Sequence, residues 1–189
     1  MSVSNVAAVL QLTFLVMTVF CSAHANANLL FQAVRADDAD AVKRAVENGA
    51  NINERGPGGQ TALMMSCLTG KADAAAALFE LGADASIGEK DGYTCLHGVA
   101  FQGRPKVAKI ALEHGLDVNA FHPDGYTPLH RACWGRSKGH FEVFKVFAEG
   151  GADIFAASRN GKHAMCAEMT SHPDILNYYE FLEDAHEEL

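Results

Sequence analysis

The chain of 189 residues has little positive charge and little proline. Its 15 Lys and Arg face 23 Asp and Glu, and the net charge of -8 argues against a nucleic-acid partner, since phosphate backbones are bound by cationic surfaces. With 5 Pro and 17 Gly the chain is neither collagen-like nor a disordered Pro/Gly-rich segment. A mean hydropathy of -0.01 excludes a multi-pass membrane protein. The composition is that of a globular domain or of an array of small repeats.

The motifs of common catalytic and metal sites are missing as well. There is no Gly-x-Ser-x-Gly elbow, no phosphate-binding loop and no dinucleotide-binding glycine pattern. No His-Glu-x-x-His or comparable ligand spacing occurs, and no Cys-x-x-Cys redox pair. We therefore expect a protein that is not an enzyme and that has no catalytic residues, no cofactor and no metal site.

Charged residues are absent from residues 1–27. The apolar stretch from Val6 to Cys21 is shorter than a membrane span of roughly 20 residues. Small residues follow it, in two patterns that signal peptidase recognises: Ala23-His24-Ala25 and Ala25-Asn26-Ala27. This predicts a cleaved signal peptide over residues 1–27 and a mature domain over 28–189, exported to the periplasm or secreted, without stable membrane insertion after cleavage. Because positive residues are missing ahead of the apolar stretch, a retained anchor or a misplaced start remains an alternative.

The rest of the chain repeats itself at a period of 33 residues. One motif recurs as Asn48-Gly49-Ala50-Asn51, Leu81-Gly82-Ala83-Asp84 and His114-Gly115-Leu116-Asp117, and then after 36 residues as Gly150-Gly151-Ala152-Asp153. A second motif recurs as Gly59-Gln60-Thr61-Ala62-Leu63, Gly92-Tyr93-Thr94-Cys95-Leu96-His97 and Gly125-Tyr126-Thr127-Pro128-Leu129-His130, with a degraded copy over residues 160–165. The three additional residues of the longer spacing lie within residues 134–140.

These motifs resemble the ankyrin-repeat family, in which a Thr-Pro-Leu-His block, a glycine turn and a Gly-Ala-Asp ending follow one another in this register. The resemblance covers about residue 29 to the end. It implies an all-α repeat solenoid of helix-turn-helix units joined by β-hairpins or loops. We expect about five repeats, with degenerate caps at both ends, over residues 28–57, 58–90, 91–123, 124–159 and 160–189. We expect the stack to be a monomer.

The residues of the motif suit this local structure. Thr127 is a favourable helix N-cap, and Pro128 suits the first helical position because its φ is already helical and it has no N–H group to satisfy. Gly103 and Gly139 are expected to end the short first helices in a left-handed conformation. One repeat cannot bury the apolar sides of both its helices, so the repeats must stack.

We expect structural roles for the motif histidines and for the cysteines of the repeats. His97 and His130 occupy the motif position that, in the resembled family, hydrogen-bonds locally and ties neighbouring repeats together. Cys67 and Cys133 hold the same repeat position two repeats apart, a separation of roughly 20 Å, whereas bridged Cα atoms lie within about 7 Å. We therefore interpret all four cysteines of the repeats as small core residues without disulfides: Cys67, Cys95, Cys133 and Cys166.

Aromatic residues at positions that the fold leaves free mark the predicted binding site. The resemblance implies one concave surface, formed by the hairpin tips and the exposed sides of the first helices. Repeats three and four bring several aromatic side chains there, and Tyr and Trp dominate interface energies. The insertion adds a small basic spot beside them. The predicted partner-binding residues are Tyr93, Phe101, Phe121, His122, Tyr126, Trp134, Arg136 and Lys138.

The function that follows is a non-catalytic scaffold in the bacterial periplasm, which binds an unidentified protein with an apolar patch and an acidic rim. Resemblance to exported bacterial ankyrin-repeat proteins implies a role in stress protection or as the immunity partner of a toxin. Two alternatives stay open. One is a secreted, host-directed ankyrin effector, and the other is a small-ligand or metal-binding protein that uses its histidines.

Overall fold

The computed structural model describes residues 26–56, 58–89, 91–159, 161 and 165–187, with side chains as far as residue 181. This part of the chain forms ten helices and no strand, apart from one isolated antiparallel bridge between Arg55 and Thr61. The prediction of an all-α repeat solenoid is confirmed. In chain order the helices are α1 (26–36), α2 (Ala39–Glu47), α3 (Ala62–Thr69), α4 (Ala72–Glu80), α5 (Cys95–Gln102), α6 (Pro105–Glu113), α7 (Pro128–Cys133), α8 (Lys138–Glu149), α9 (Cys166–Met169) and α10 (Pro173–Glu187).

The first helix of each central repeat begins at a threonine. The Thr61 hydroxyl accepts a hydrogen bond from the backbone N–H of Met64, which would otherwise have no partner in the helix. Thr127 does the same for His130, whose side chain bonds back to the backbone of Thr127, so that both ends of a capping box are present. Helices α3 and α5 end at Gly70 and Gly103, with φ of 75° and 63°. Glycine adopts this left-handed conformation without steric cost, as predicted for Gly103.

The prediction that Gly139 ends a first helix is wrong. Helix α7 already ends at Cys133, and its C-cap, Trp134, has a right-handed conformation with φ of -74°. Gly139 instead lies in the first turn of α8. A Cβ atom there would lie 2.5 Å from the carbonyl oxygen of Gly103 in the preceding repeat. Gly139 is therefore required where its turn closely approaches the turn at Gly103. The first helix of this repeat ends six residues earlier, at Cys133, ahead of the insertion.

The helix pairs stack side by side. First helices contact first helices, from α3 through α5 and α7 to α9, and second helices contact second helices, from α2 through α4 and α6 to α8. Between the two layers runs a thin apolar core, in which Val99, Leu129, Val107 and Phe144 are almost completely inaccessible to solvent. Because each repeat is buried only by its neighbours, the core extends along the stack.

Only the last two residues of the predicted signal peptide are among the described residues. Helix α1 begins there: Asn26 donates a hydrogen bond from its side chain to the carbonyl of Asn48 (2.6 Å), and Ala27 is buried against the core. Residues 1–25 lie outside the described residues. Within residues 26–187 as described, no helix is both long and apolar enough to cross a bilayer.

The interpretation of the four cysteines as unbridged core residues is wrong. Cys67 is bonded to Cys95 and Cys133 to Cys166, with Cα atoms 5.4 and 5.7 Å apart. In both bridges a cysteine at the sixth residue of one first helix meets the cysteine that begins the next first helix. Cysteines at equal positions two repeats apart are too distant to bond. Unequal positions on adjacent first helices, however, come within bonding distance.

We expect reduction of the two disulfides to lower the stability of the fold strongly. They close chain segments of 28 and 33 residues, and each should stabilise the fold by about 3–4 kcal/mol by restricting the unfolded chain. The double variant Cys67→Ala/Cys95→Ala should lower the thermal midpoint by roughly 10 °C, and reduction of the unmodified protein should lower it further. Peptide mapping without reductant should recover both pairs. Four alkylatable thiols in the denatured, unreduced protein would contradict the assignment.

Candidate functional site

Three of the predicted aromatic residues surround one buried cation. The guanidinium carbon of Arg131, on α7, lies 4.4 Å from the ring centroid of Trp134, 4.8 Å from that of Tyr93 and 5.1 Å from that of Tyr126. The Tyr126 and Trp134 rings meet edge to face with centroids 4.9 Å apart. A desolvated cation on an aromatic face is attracted by the ring quadrupole, by about 2 kcal/mol in favourable cases. Arg131 therefore holds aromatic side chains of repeats three and four in one arrangement.

Asp124 neutralises this buried guanidinium. Its carboxylate accepts a hydrogen bond from Arg131, and the imidazole Nδ1 of His122 lies 2.8 Å from the other carboxylate oxygen. Burial disfavours the charged carboxylate, but hydrogen bonds from His122, Arg131 and the backbone of Tyr126 outweigh it and lower the pKa of Asp124. A buried arginine needs such a partner, because an unpaired charge in this position would be costly.

His122 belongs to the support beneath the surface. It is 7% exposed, its Nε2 donates to the carbonyl of Asp91 in the preceding hairpin, and its ring lies 4.4 Å from that of Tyr93. Tyr126, at 6% exposure, is also buried. These two predicted contact residues have little surface to offer a partner. The His122 side chain instead links the loops before α5 and α7, and the Tyr126 ring packs on Trp134 and Arg131.

The motif histidines make the local hydrogen bonds expected of them. The Thr94 hydroxyl lies 2.9 Å from Nδ1 of His97, and the Thr127 hydroxyl lies 2.7 Å from Nδ1 of His130. The His97 ring also interacts with the carbonyl of Tyr126 in the following repeat. Burial lowers the pKa of His97 to about 4, and Arg131 adds to this, so the imidazole is neutral at pH 7.

Phe101 and Trp134 are the exposed part of the predicted site, at 53% and 40%. They occupy equivalent places: each is six residues beyond the first residue of its helix, Cys95 or Pro128. At this exposure, Phe101 and Trp134 are not core residues. Together with Tyr93 and Tyr126 they form what we call the aromatic face. Arg136 and Lys138, in the insertion, are exposed beside Trp134.

The insertion is attached to the preceding repeat through His140. This ring donates from Nε2 to the carbonyl of Phe101 (3.0 Å), and its Nδ1 lies 2.6 Å from the Ser137 hydroxyl. The ring also fills the space beside Gly135, where a Cβ atom would collide with it. Phe101, Trp134 and the two cations of the insertion are thus parts of one connected surface.

Phe121 lies apart from this group. It is half-buried in the hairpin before α7, and the guanidinium of Arg159 covers its ring at 3.8 Å from the centroid. Both side chains line a surface groove of about 340 Å³, together with residues 122–125. The sequence placed Phe121 correctly on a hairpin, but the structure does not bring it into contact with the aromatic face.

Sequence reasoning missed Arg131 and Asp124, which organise the site. A signal was present: Arg131 stands where the two preceding repeats have Met65 and Gly98, and a charged residue in a core-facing helix position calls for a partner. Sequence reasoning also missed His140, which bonds the insertion to the preceding repeat. Within the described ranges, no three His, Cys, Asp or Glu side chains are grouped so as to hold a metal ion.

A comparison with protein-family models supports the repeat assignment independently. The chain matches the model described as ankyrin repeats (3 copies), over residues 7–89 and again over residues 77–158. The first match begins inside the segment predicted as a signal peptide. No curated protein matches the chain significantly.

His97 predicts a loss of stability in mild acid. Its pKa is about 4 in the folded protein against an ordinary 6.5, so the unfolded chain binds more protons between these values. The contribution of His97 to the free energy of unfolding is nearly complete above pH 6.5. It falls as the pH decreases, by about 2 kcal/mol between pH 7 and pH 5. Asp124, with its lowered pKa, adds a loss only at more acidic pH. Denaturant unfolding at several pH values measures this.

The matched variant for that experiment is His97→Gln. It should be less stable at pH 7, because the Thr94 contact is altered, yet lose less stability between pH 7 and pH 5. An equal slope in the variant and the unmodified protein would show that other groups cause the pH dependence.

Proposed function

Because this chain belongs to the ankyrin-repeat family, we propose that it is a non-catalytic protein-binding module that acts in the bacterial periplasm. Repeats of this family generally mediate protein–protein interaction and are typically not catalytic. The observation that carries the proposal for this chain is the exposure of Phe101 and Trp134 at equivalent positions of neighbouring first helices.

The rigidity of the aromatic face supports binding. Its buried member Tyr126 is fixed by packing against the guanidinium of Arg131, and Arg131 is in turn held by the Asp124 ion pair. A surface that is already ordered loses less conformational entropy when a partner binds. Exposed aromatic side chains held in this way have the properties of interface anchors, which concentrate binding energy in a few large residues.

Two observations support an oxidising location. The uncharged segment over residues 1–27 has the length and the small residues of a secretory signal. The disulfides Cys67–Cys95 and Cys133–Cys166 would persist outside the cytoplasm, whereas cytosolic thiols are kept reduced. We therefore propose that the protein is periplasmic or secreted. We also propose that the monomeric stack is the active form.

The specific role depends on the partner. We propose stress protection or toxin immunity ahead of a host-directed effector, since proteins sent into a host commonly lack a general cleaved signal. Use of the histidines for a small ligand is not favoured, since His97, His122, His130 and His140 are all engaged within the fold.

Removal of the two exposed aromatics should abolish partner capture. We expect Phe101→Ala/Trp134→Ala to reduce capture from a periplasmic extract of the source organism at least about tenfold, because anchor residues dominate affinity. The free energy of unfolding should fall by less than about 1 kcal/mol for Phe101→Ala and by about 1–3 kcal/mol for Trp134→Ala, which also removes the contacts with Arg131 and Tyr126, so the protein should stay folded. Quantitative mass spectrometry of the retained proteins and denaturant unfolding give the two readouts.

The control is Phe181→Ala, which removes an aromatic of 69% exposure from α10 at the end of the stack. If this variant and the double variant retained equal amounts of every captured protein, the aromatic face would not be the binding site.

Export can be tested separately. The full chain, produced in a host with a periplasm, should be recovered there without its apolar segment, cleaved after Ala27 as predicted or after Ala25, the other site with small residues. Cleavage after Ala25 would keep the Asn26–Asn48 bond and the buried Ala27. N-terminal sequencing and intact mass measure this. Ala25→Tyr removes the small residue that both candidate sites need and should block processing. Cytoplasmic protein that retains residues 1–25 would refute export and favour a segment that stays with the repeats.

A further inference from the structure

The first helices of the central repeats and the turns directly after them lack carboxylates, although Asp73 and Glu142 follow close by in the second helices α4 and α8. Residues 55–72, 92–112 and 125–141, which contain the first helices of repeats two to four and the turns after them, have no Asp or Glu. Cations are frequent in the same segments. Five of them lie in or next to the turns between first and second helices and form what we call the basic edge: Lys71, Arg104, Lys106, Arg136 and Lys138.

Hydrogen bonds make these turns continuous. The Arg104 Nε donates to the carbonyl of Leu68 in the preceding repeat (3.3 Å), just as His140 donates to that of Phe101. The methylenes of Arg104 lie against Gly70, where a Cβ atom would be 2.8 Å from its Cδ. Arg104 and His140 therefore have the same task in successive repeats, and each turn is fastened to the one before it.

The basic edge borders the exposed aromatics. Phe101 and Arg104 stand at the end of the first helix and in the turn of repeat three, and Trp134, Arg136 and Lys138 stand there in repeat four. A groove of about 220 Å³ crosses the edge, lined by Gly70, Gly103, Arg104, Pro105, Lys106 and Val107. Lys106, Arg136 and Lys138 are exposed, so their charges are available to a bound molecule.

We propose, on the basis of the protein-binding function above, that the occupant of this surface is an extended acidic segment of the partner protein. Its aromatic side chains pack on Phe101 and Trp134, and its carboxylates pair with the basic edge. Guanidinium and carboxylate groups form charge-assisted, frequently bidentate hydrogen bonds. Complementary charge also explains how a protein of net charge -8 approaches an acidic partner in only one orientation.

The spacing of the repeats sets the spacing of the anchors. Packed helices lie about 8–10 Å apart, and a polyproline II segment advances about 3.1 Å per residue with three residues per turn, so that every third side chain lies on the same side. Aromatic residues three apart in an extended segment therefore meet Phe101 and Trp134 in turn. A segment rich in like charges repels itself and stays extended, which suits this geometry.

The probe is the synthetic peptide Glu-Glu-Phe-Glu-Glu-Phe-Glu-Glu, titrated into the purified exported protein. Trp134 is the only tryptophan of the chain, and its emission reports directly from the aromatic face. Anisotropy of a labelled copy of the peptide gives the affinity. We expect saturable binding with a change in Trp134 emission, weakened severalfold when salt rises from 50 to 500 mM, since screening reduces the attraction between exposed charges.

Two charge-reversed variants separate the basic edge from net charge. Arg136→Glu/Lys138→Glu should weaken binding at least about tenfold, whereas Lys109→Glu/Lys145→Glu, an equal change in charge on the second helices α6 and α8, should weaken it less than about twofold. Lys109 and Lys145 form surface ion pairs, and Lys145 also lies 5.2 Å from the ring centroid of Phe141; such contacts contribute little at exposed positions, so this control should fold normally. A peptide with Ala in place of both Phe should also bind at least about tenfold more weakly.

Several results would overturn the proposal: no binding, equal losses in the two variants, or equal binding of the Ala peptide. Equal affinity for an eight-nucleotide thymidine oligomer would indicate a general polyanion site and would overturn it too. Failure of the underlying function is distinguishable. If capture of the native partner needs Phe101 and Trp134 but not Arg136 and Lys138, only the partner chemistry is wrong. If it needs none of them, the protein-binding function of this face also fails.

Discussion

A pair of helices of eight or nine residues cannot bury its own apolar side chains, and the rest of the molecule depends on the neighbouring pair supplying the other wall. Val99 and Leu129, on adjacent first helices, lose their solvent exposure only in the stack. The same constraint fixes the register of the repeats. Once first helix packs on first helix, equivalent positions of successive repeats face the same way, and Phe101 and Trp134 come to lie on one surface.

The polar contacts that cross between repeats follow from this register. Arg104 and His140 reach the same carbonyl position of the repeat before, and the disulfides join the same two positions of adjacent first helices. Arg131 makes the most specific of these connections, because its guanidinium contacts rings from both repeats three and four. The rigid scaffold and the arrangement of the aromatic face thus have a common origin.

The helices and their order could be predicted from the sequence, because the central repeats carry local signals: a threonine at the start of each first helix, a turn glycine after α3 and α5, and a fixed period. The exposed aromatics could be predicted for the same reason, since Phe101 and Trp134 stand at positions that the repeat leaves to solvent. What failed depended on distances between repeats. The disulfides join unequal positions, Gly139 matters through an approach to Gly103, and His122 is buried against Tyr93 and the carbonyl of Asp91 in the preceding repeat. Tyr126 is buried where the Arg131 guanidinium and the Trp134 ring pack against it.

In the proposed function, the partner contacts the exposed aromatic face of repeats three and four. Site-specific photocrosslinking tests this most directly, with a photoreactive phenylalanine analogue placed at residue 101 and, as control, at residue 181 in α10. After irradiation of intact cells of the source organism, a discrete adduct should form from position 101 and not from position 181. Equal adducts from both positions, or an adduct from position 181 alone, would contradict the account.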